Sequence, residues 1–326
     1  MTTIIDVAKL AGVSFKTVSR VVNGEAGVRP ATREKVLEAA KTLDYKVNVS
    51  ARSLRSKRQH LVALLVNNPS GNYSQDIQFG AMVGCQNAGF NLIVENPYDD
   101  DALKRLSAQH GMLGVILTPP QSDDAVLIDK LNAANVNFVR VGTELEIEGS
   151  SRIGIDDRQA AFDMTVHLIE RGHKSIAFIN GPPSQHICQR RKQGFIEALE
   201  AASIPLDRKL IANGEFTYAS GMEQAELILR GSCRPTAIFA CNDEMAAGCL
   251  AAAYKMNIRV PEQLSVAGFD DSPAARIVYP SLTTIHQSTR EMAQQAVEIL
   301  DRMNRAEDPV GESVLLPHHL VVRESS

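Results

Sequence analysis

The sequence predicts a small, basic, all-α head joined by a short polar segment to a larger acidic α/β body built on parallel sheets. Charge is the first observation behind this division. Residues 1–60 hold twelve Lys and Arg against five acids, net +7, which leaves −11 on the other 266 residues of this 326-residue chain. A basic head on an acidic body suits a polyanion-binding module tied to something that should stay off the polyanion. The second observation is helical spacing over residues 5–44, and the third is the alternation of short apolar runs with longer amphipathic stretches from residue 61 onward. With 44% apolar and 22% charged residues, disorder is excluded. Every hydrophobic run falls short of the ~18 residues of a membrane helix, so no membrane partner is expected. Asp6 and Lys9 interrupt the start where a signal peptide needs an apolar core, so a cytoplasmic location is expected.

In the head, Ile5, Ala8, Leu10 and Ala11 supply the apolar stripe of a first helix, and Gly12 follows where a tight turn needs positive φ. Ser14 stands at an N-cap position ahead of a second helix, Phe15 to Val22, in which Val18, Val21 and Val22 repeat at buried-face spacing. Two helices joined by such a turn form a helix-turn-helix, whose second helix enters the major groove. Phe15, Lys16, Ser19 and Arg20 fall on its other side. Lys16 and Arg20 can donate to guanine, and Phe15 can lie against a thymine methyl. Thr3, Thr17 and Asn23 have short polar side chains suited to phosphates. Arg29-Pro30 opens a third helix in which Val36, Leu37, Ala40 and Leu43 close a small core.

The string Asp6-Val7-Ala8-x-x-Ala11-Gly12-Val13-Ser14-x-x-Thr17-Val18-Ser19-Arg20-Val21-Val22-Asn23, with Thr32-Arg33-x-x-Val36 and Leu43-x-Tyr45, resembles the DNA-binding head of the lactose/galactose-repressor family of bacterial transcription regulators. That resemblance divides the start of the chain into a headpiece, 1–45, and a hinge segment, 46–60. The hinge is polar, basic and too short to be stably helical alone. In the family it folds on operator DNA, which here places Asn48 and Ala51 at the DNA and Leu54 as a wedge in the minor groove. Val47 stands where the family usually has Pro.

In the body, Leu61 to Val66, Phe90 to Val94, Gly114 to Leu117 and Phe138 to Val141 read as buried strands, with helices over 76–88, 100–110 and 123–134. A second series places strands at Ile176 to Ile179, Ala237 to Ala240 and Leu264 to Ala267, with helices near 157–171, 189–201, 219–230 and 243–256. Ligands of open parallel sheets bind beyond the carboxyl ends of the strands. Asn67 to Tyr73, Pro119-Pro120-Gln121, Asn242-Asp243 and Asp270-Asp271 follow predicted strands and would converge on one cleft; the same residue types also collect in ordinary turns.

Arg191-x-x-Gly194-Phe195, Asn242-Asp243-x-x-Ala246-x-Gly248, Gly268-Phe269-Asp270-Asp271 and Pro280 to Ile285 extend the resemblance to the family's periplasmic-binding-protein-like effector domain of two Rossmann-like lobes. It implies an N-lobe of about 61–155 and 287–316 and a C-lobe of about 156–286 and 317–326. It also implies that Arg191, Asn242 and Asp270 hold a small-molecule effector, usually a sugar. A guanidinium, an amide and a carboxylate together can address vicinal hydroxyls, and Tyr73 offers an apolar face to a pyranose ring. Loop 69–75 departs from the family's Asn-Pro-aromatic-aromatic pattern.

The function expected is a homodimeric, effector-controlled regulator, most simply a repressor, that reads a pseudo-palindromic operator in double-stranded DNA. An enzyme built on the same body is the rival. The strings G-x-G-x-x-G, G-x-x-x-x-G-K-[ST], H-E-x-x-H and G-x-S-x-G are all missing, so neither catalysis nor a cofactor is expected. A transport binding protein has no use for the basic head, and a DNA-coating protein has none for Phe15. His318-His319 would point to opposite faces of a terminal strand, against a metal pair. Five cysteines with no C-x-x-C pair read as reduced thiols, with Cys241 and Cys249 in apolar surroundings.

Overall fold

The computed structural model describes residues 3–22, 27–43, 61–96, 112–305 and 311–326. The chain divides into two compact units, residues 1–59 and 60–326. Asn23, Asn48, Ala51, Leu54 and the helix expected over 100–110 lie outside the described residues.

The first unit holds three helices, α1 (Ile4–Ala11), α2 (Phe15–Val22) and α3 (Pro30–Thr42). Gly12 at φ +66° ends α1 and turns the chain into α2. Val7, Val18, Val21 and Val36 meet in a small core closed by Ala8 and Ala39. The α1 stripe therefore runs through Ile4, Val7, Ala8 and Ala11, whereas Ile5 and Leu10 are exposed, and Leu37 of α3 is exposed as well. The 3.6-residue period admits two adjacent stripes on so short a helix, and closure on α2 and α3 selects one of them.

The second unit contains two parallel sheets. The first runs β11 (Ser313–Leu315), β5 (Ser151–Gly154), β4 (Phe138–Val141), β3 (Met112–Leu117), β1 (Leu61–Leu65), β2 (Asn91–Glu95). Helices α4 (Gly71–Ala88) and α11 (Thr289–Arg305) pack together on it, and α5 (Ala125–Ala133) covers its other face. The second sheet runs β7 (Ile211–Asn213), β6 (Ile176–Asn180), β8 (Ala237–Ala240), β9 (Ser265–Ala267). Its helices pack in pairs: α6 (Asp157–Glu170) with α7 (His186–Ala201), and α8 (Tyr218–Arg230) with α9 (Asp243–Lys255). The short α10 (Pro273–Ile277) rests on α9.

The chain passes between the two layers three times: from β5 into α6, from β10 (Thr284–Gln287) into α11, and from β11 into β12 (His318–Val321). Strands β10 and β12 pair antiparallel. His318 meets Asp163 and His319 stacks on His286, so the adjacent histidines do face opposite ways. The core strands β1, β6 and β8 are buried throughout, as continuous apolar runs in parallel sheets should be. Strands β5, β7 and β11 lack such runs and gave no sequence signal; β5 is Ser-Arg-Ile-Gly, yet all four residues are buried.

Candidate functional site

In the head, Thr3 and Ser14 cap the two helices. Thr3 donates from its backbone and hydroxyl to Asp6 Oδ2 (2.9 and 2.7 Å) and accepts from Asp6 N–H, a closed capping box. Those bonds from Thr3 hold the exposed Asp6 carboxyl below its usual range. Ser14 Oγ accepts from Thr17 N–H (3.1 Å) and bonds the Thr17 hydroxyl (2.9 Å). With Val18 and Val21 committed inward, α2 presents Phe15, Lys16 and Arg20 to solvent, and Ser19 stands half-buried beside them. Phe15 is 49% exposed, a costly placement for an apolar ring unless something covers it. Lys16 and Arg20, four apart, share one face of α2.

In the body, Tyr73, Arg191, Asn242 and Asp270 line a single cavity at the carboxyl ends of both sheets, together with Asn68, Asp157, Phe216 and Gln287. Arg191 projects from α7, buried, and donates through Nε to Asp157 Oδ1 (2.7 Å) and through a terminal nitrogen to the Cys241 carbonyl (2.6 Å). Its guanidinium lies 3.5 Å over the Phe269 ring. Burial opposes its charge most strongly, but the facing Asp157, Cys241 and Asp270 together outweigh it and raise its pKa. Asp157 opens α6; burial raises its carboxyl, and Arg191 works in the opposite direction.

Asp270 follows β9 with φ +113°, a conformation that disfavours side chains, and its Oδ1 accepts from Gln287 Nε2 (2.6 Å). Burial holds its carboxyl well above the ordinary range. Asn242 is committed at both ends, since Oδ1 caps α9 at Met245 N–H (2.9 Å) and Nδ2 donates to Phe216 C=O (3.0 Å). Tyr73 belongs to the first turn of α4, which starts at Gly71 and shortens the loop expected over 69–75. Its buried hydroxyl has no hydrogen-bond partner in the structure, and burial raises the phenol's pKa.

The free space inside is about 20 Å³, room for about one water molecule, so the two layers are closed on each other. Two contacts hold the rim. Glu244 Oε1, on α9, accepts from Ser70 Oγ (2.9 Å), Asn72 N–H (3.2 Å) and Asn72 Nδ2 (3.1 Å) at the start of α4. On the other side Glu144 Oε2 accepts two bonds from Arg190 (3.0 and 2.9 Å), and its Oε1 accepts from Asp157 N–H (2.7 Å). Asp157, Gln287, Glu144 and Glu244 escaped the sequence reading because each acquires its role from a partner distant in the chain. The one available signal was Asp156-Asp157 directly after an apolar Ile155.

No group of three or more His, Cys, Asp or Glu able to hold a metal ion occurs among the described residues. None of the described helices is long and apolar enough to cross a membrane.

Comparison with known proteins places both units. Residues 3–48 match bacterial regulatory proteins of the lacI family, and residues 165–326 match a periplasmic binding protein-like domain. Catabolite control protein A of Priestia megaterium is 33% identical over 331 residues, covering 99% of each chain. Among solved structures, the CelR–cellobiose complex aligns over 100% of both chains at 34% identity, TM-score 0.77. The lac repressor dimer bound to operator and the anti-inducer ONPF aligns over 99% of this chain and 98% of that one, at 29% identity and TM-score 0.78. These relatives are transcription regulators rather than enzymes. The chain, with a lacI-type head, a periplasmic-binding-protein-like match over 165–326 and a regulator 33% identical over 99% of its length, belongs to the lacI family of bacterial regulatory proteins.

Proposed function

We propose that this regulator is a homodimeric, cytoplasmic repressor whose operator affinity is set by a sugar or sugar derivative held among Tyr73, Arg191, Asn242 and Asp270. The observation that carries the reading is the meeting of those four residues in one closed cavity between two sheets that the chain joins by three crossings. About 20 Å³ cannot hold a sugar, so ligand entry requires the layers to part. A change in their angle is what a DNA-binding segment joined to the body can sense. Two structural neighbours, one in complex with cellobiose and one bound to operator DNA, support the same reading.

In this scheme the chain comprises a headpiece (1–45), a hinge (46–60), and a body whose N-lobe takes 61–155 and 287–316 and whose C-lobe takes 156–286 and 317–326. Lys16 and Arg20 read bases, Phe15 lies on a thymine methyl, and Ser19 faces the same groove. Thr3, Ser14, Thr17 and Asn23 meet phosphates, with the Thr3 and Ser14 hydroxyls also serving as helix caps. Asn48, Ala51 and Leu54 act at the centre of the operator. Effector binding shifts the lobes, separates the paired hinges around Leu54 and weakens DNA binding, and DNA must lower effector affinity by the same factor. Tyr254, Ile277 and Tyr279, each more than 80% exposed, give the second sheet's layer an apolar surface that a second copy would cover.

Selection of duplexes from a random pool by the purified protein at about 150 mM salt, where phosphate-only binding is weak, tests the reading. Enrichment of a pseudo-palindrome with a fixed centre supports it. Enrichment of single half-sites sinks the dimer, and no enrichment with or without sugars leaves only a DNA-coating role.

A further inference from the structure

Proteins hold phosphate and carboxylate groups chiefly on helix N-termini and arginines. Four long helices start at the cleft, and three of those starts are already met by the protein's own acids. The N-terminus of α4 receives the Glu244 carboxylate from the opposite layer, through the Asn72 amide N–H and side chain and the Ser70 hydroxyl. The first amide of α6, that of Asp157, donates to Glu144. Helix α9 carries Asp243 and Glu244 in its own first turn. Helix α7 starts without an acid, but its Arg191 is bound to Asp157 and its Arg190 to Glu144. Asp270 adds a fourth carboxyl at the cavity, bonded to the neutral Gln287 amide rather than to a cation. Among the described residues that line the cavity and its rim, Glu144, Asp157 and Glu244 face Arg190 and Arg191, and Asp270 adds a further carboxyl.

We propose that the cleft accepts uncharged, hydroxyl-rich ligands and turns away their phosphorylated or carboxylate forms, with Glu244 setting the preference by filling the N-terminus of α4. This rests on the reading of the cleft as a sugar-effector site and narrows it to one ligand class. An anion entering the closing cleft loses its water, finds the strongest donors taken, and meets acids in excess. A neutral sugar pairs its hydroxyls with the Tyr73 hydroxyl, the Gln287 amide and the carboxyl groups, and the Glu244 contact closes the rim beside it. The departure of loop 69–75 from the family pattern acquires a purpose here, since Asn72 within it supplies two of the three donors to Glu244.

Calorimetric titration of the full chain with glucose, cellobiose, glucose 6-phosphate and inorganic phosphate tests this, alongside Glu244→Ala and the isosteric Glu244→Gln. The wild-type protein is expected to bind glucose 6-phosphate at least about tenfold more weakly than glucose, and phosphate without saturation. Glu244→Ala should close most of that gap and gain saturable phosphate binding, and Glu244→Gln should fall between. The gain of a new ligand cannot come from misfolding, and a melting curve for each variant checks the fold. Wild-type preference for glucose 6-phosphate over glucose overturns the proposal while leaving the sugar-effector reading in place. Failure of Glu244→Ala to gain any anion overturns the role of Glu244. If no neutral sugar binds any of the three proteins, the sugar-effector reading falls and takes the proposal with it.

Discussion

Asp270 carries the sharpest single-residue test. Its φ of +113° is a strained setting for any side chain, of order 1–3 kcal/mol, maintained with its carboxyl buried against Gln287. Asp270→Gly should therefore preserve or slightly raise thermal stability while abolishing the effector's influence on operator binding. A variant that still responds to effector removes Asp270 from the site. At the head, Arg20→Ala should lower specific operator affinity by about 1–3 kcal/mol and relax base preference at one position per half-site; equal losses on operator and random DNA in a gel-shift titration would make Arg20 a phosphate contact. Cys233 is exposed and the other four cysteines are buried, so Ellman's reagent should titrate one thiol per native chain rapidly and five after unfolding. Asn242 and Asp270 were legible in the sequence because each follows an apolar run that reads as a strand, whereas Arg191, inside its helix, was marked only by the motif it shares with the family. Glu244 and Glu144 were not legible, since a surface-type acid at a helix start or in a loop looks the same whether or not a facing layer supplies its donors.

At the scale of elements, two helix pairs are joined by glycine contacts. A Cβ on Gly194 of α7 would stand 2.0 Å from the Arg158 carbonyl of α6, and one on Gly248 of α9 would stand 2.2 Å from the Tyr218 carbonyl of α8. Both opposing atoms are backbone, so no side chain can give way. Gly194→Ala should force α6 and α7 apart and cost about 1–3 kcal/mol or more, read as a lower urea midpoint. These glycines stood in the sequence as parts of motifs, but their purpose appears only where two helices touch. Helix α9 also carries a titration. Asp243 is buried at its start, accepting from Ser272 N–H (2.7 Å) and Thr284 Oγ1 (2.6 Å), and burial lifts its carboxyl from 3.8 to about 7. The fold thus prefers the protonated form. Stabilisation from this group is complete below about pH 4 and is lost as pH rises through about 7. Melting temperatures of wild type and Asp243→Asn should therefore draw apart between pH 4 and 7, the wild type losing ground as pH rises, and parallel curves would contradict the assignment.

For the whole molecule, the division into a basic three-helix head and an acidic parallel-sheet body was readable from charge and periodicity, because buried parallel strands show as apolar runs. The strands β5, β7 and β11 were hidden because pairing and cover from neighbours, rather than their own composition, makes them strands. The exposed Tyr254, Ile277 and Tyr279 lead to a prediction at this scale: Tyr279→Asp should shift the protein from dimer to monomer in sedimentation velocity and weaken operator binding through loss of the second half-site.

The first sheet also has a history written into its order. Its covering helix α11 and edge strand β11 come from residues 289–315, whereas β1 to β5 are complete by residue 154. A ribosome adding about 5–20 residues per second needs roughly 7–27 s to deliver the intervening stretch, from which the second sheet can assemble entire. During that interval the nascent first sheet presents the bare face that Met292, Ala296, Val297 and Leu300 will later cover. A chain truncated before residue 289 should accordingly yield a folded second sheet attached to an aggregating remnant. The wait for α11 is when a chaperone has something to hold.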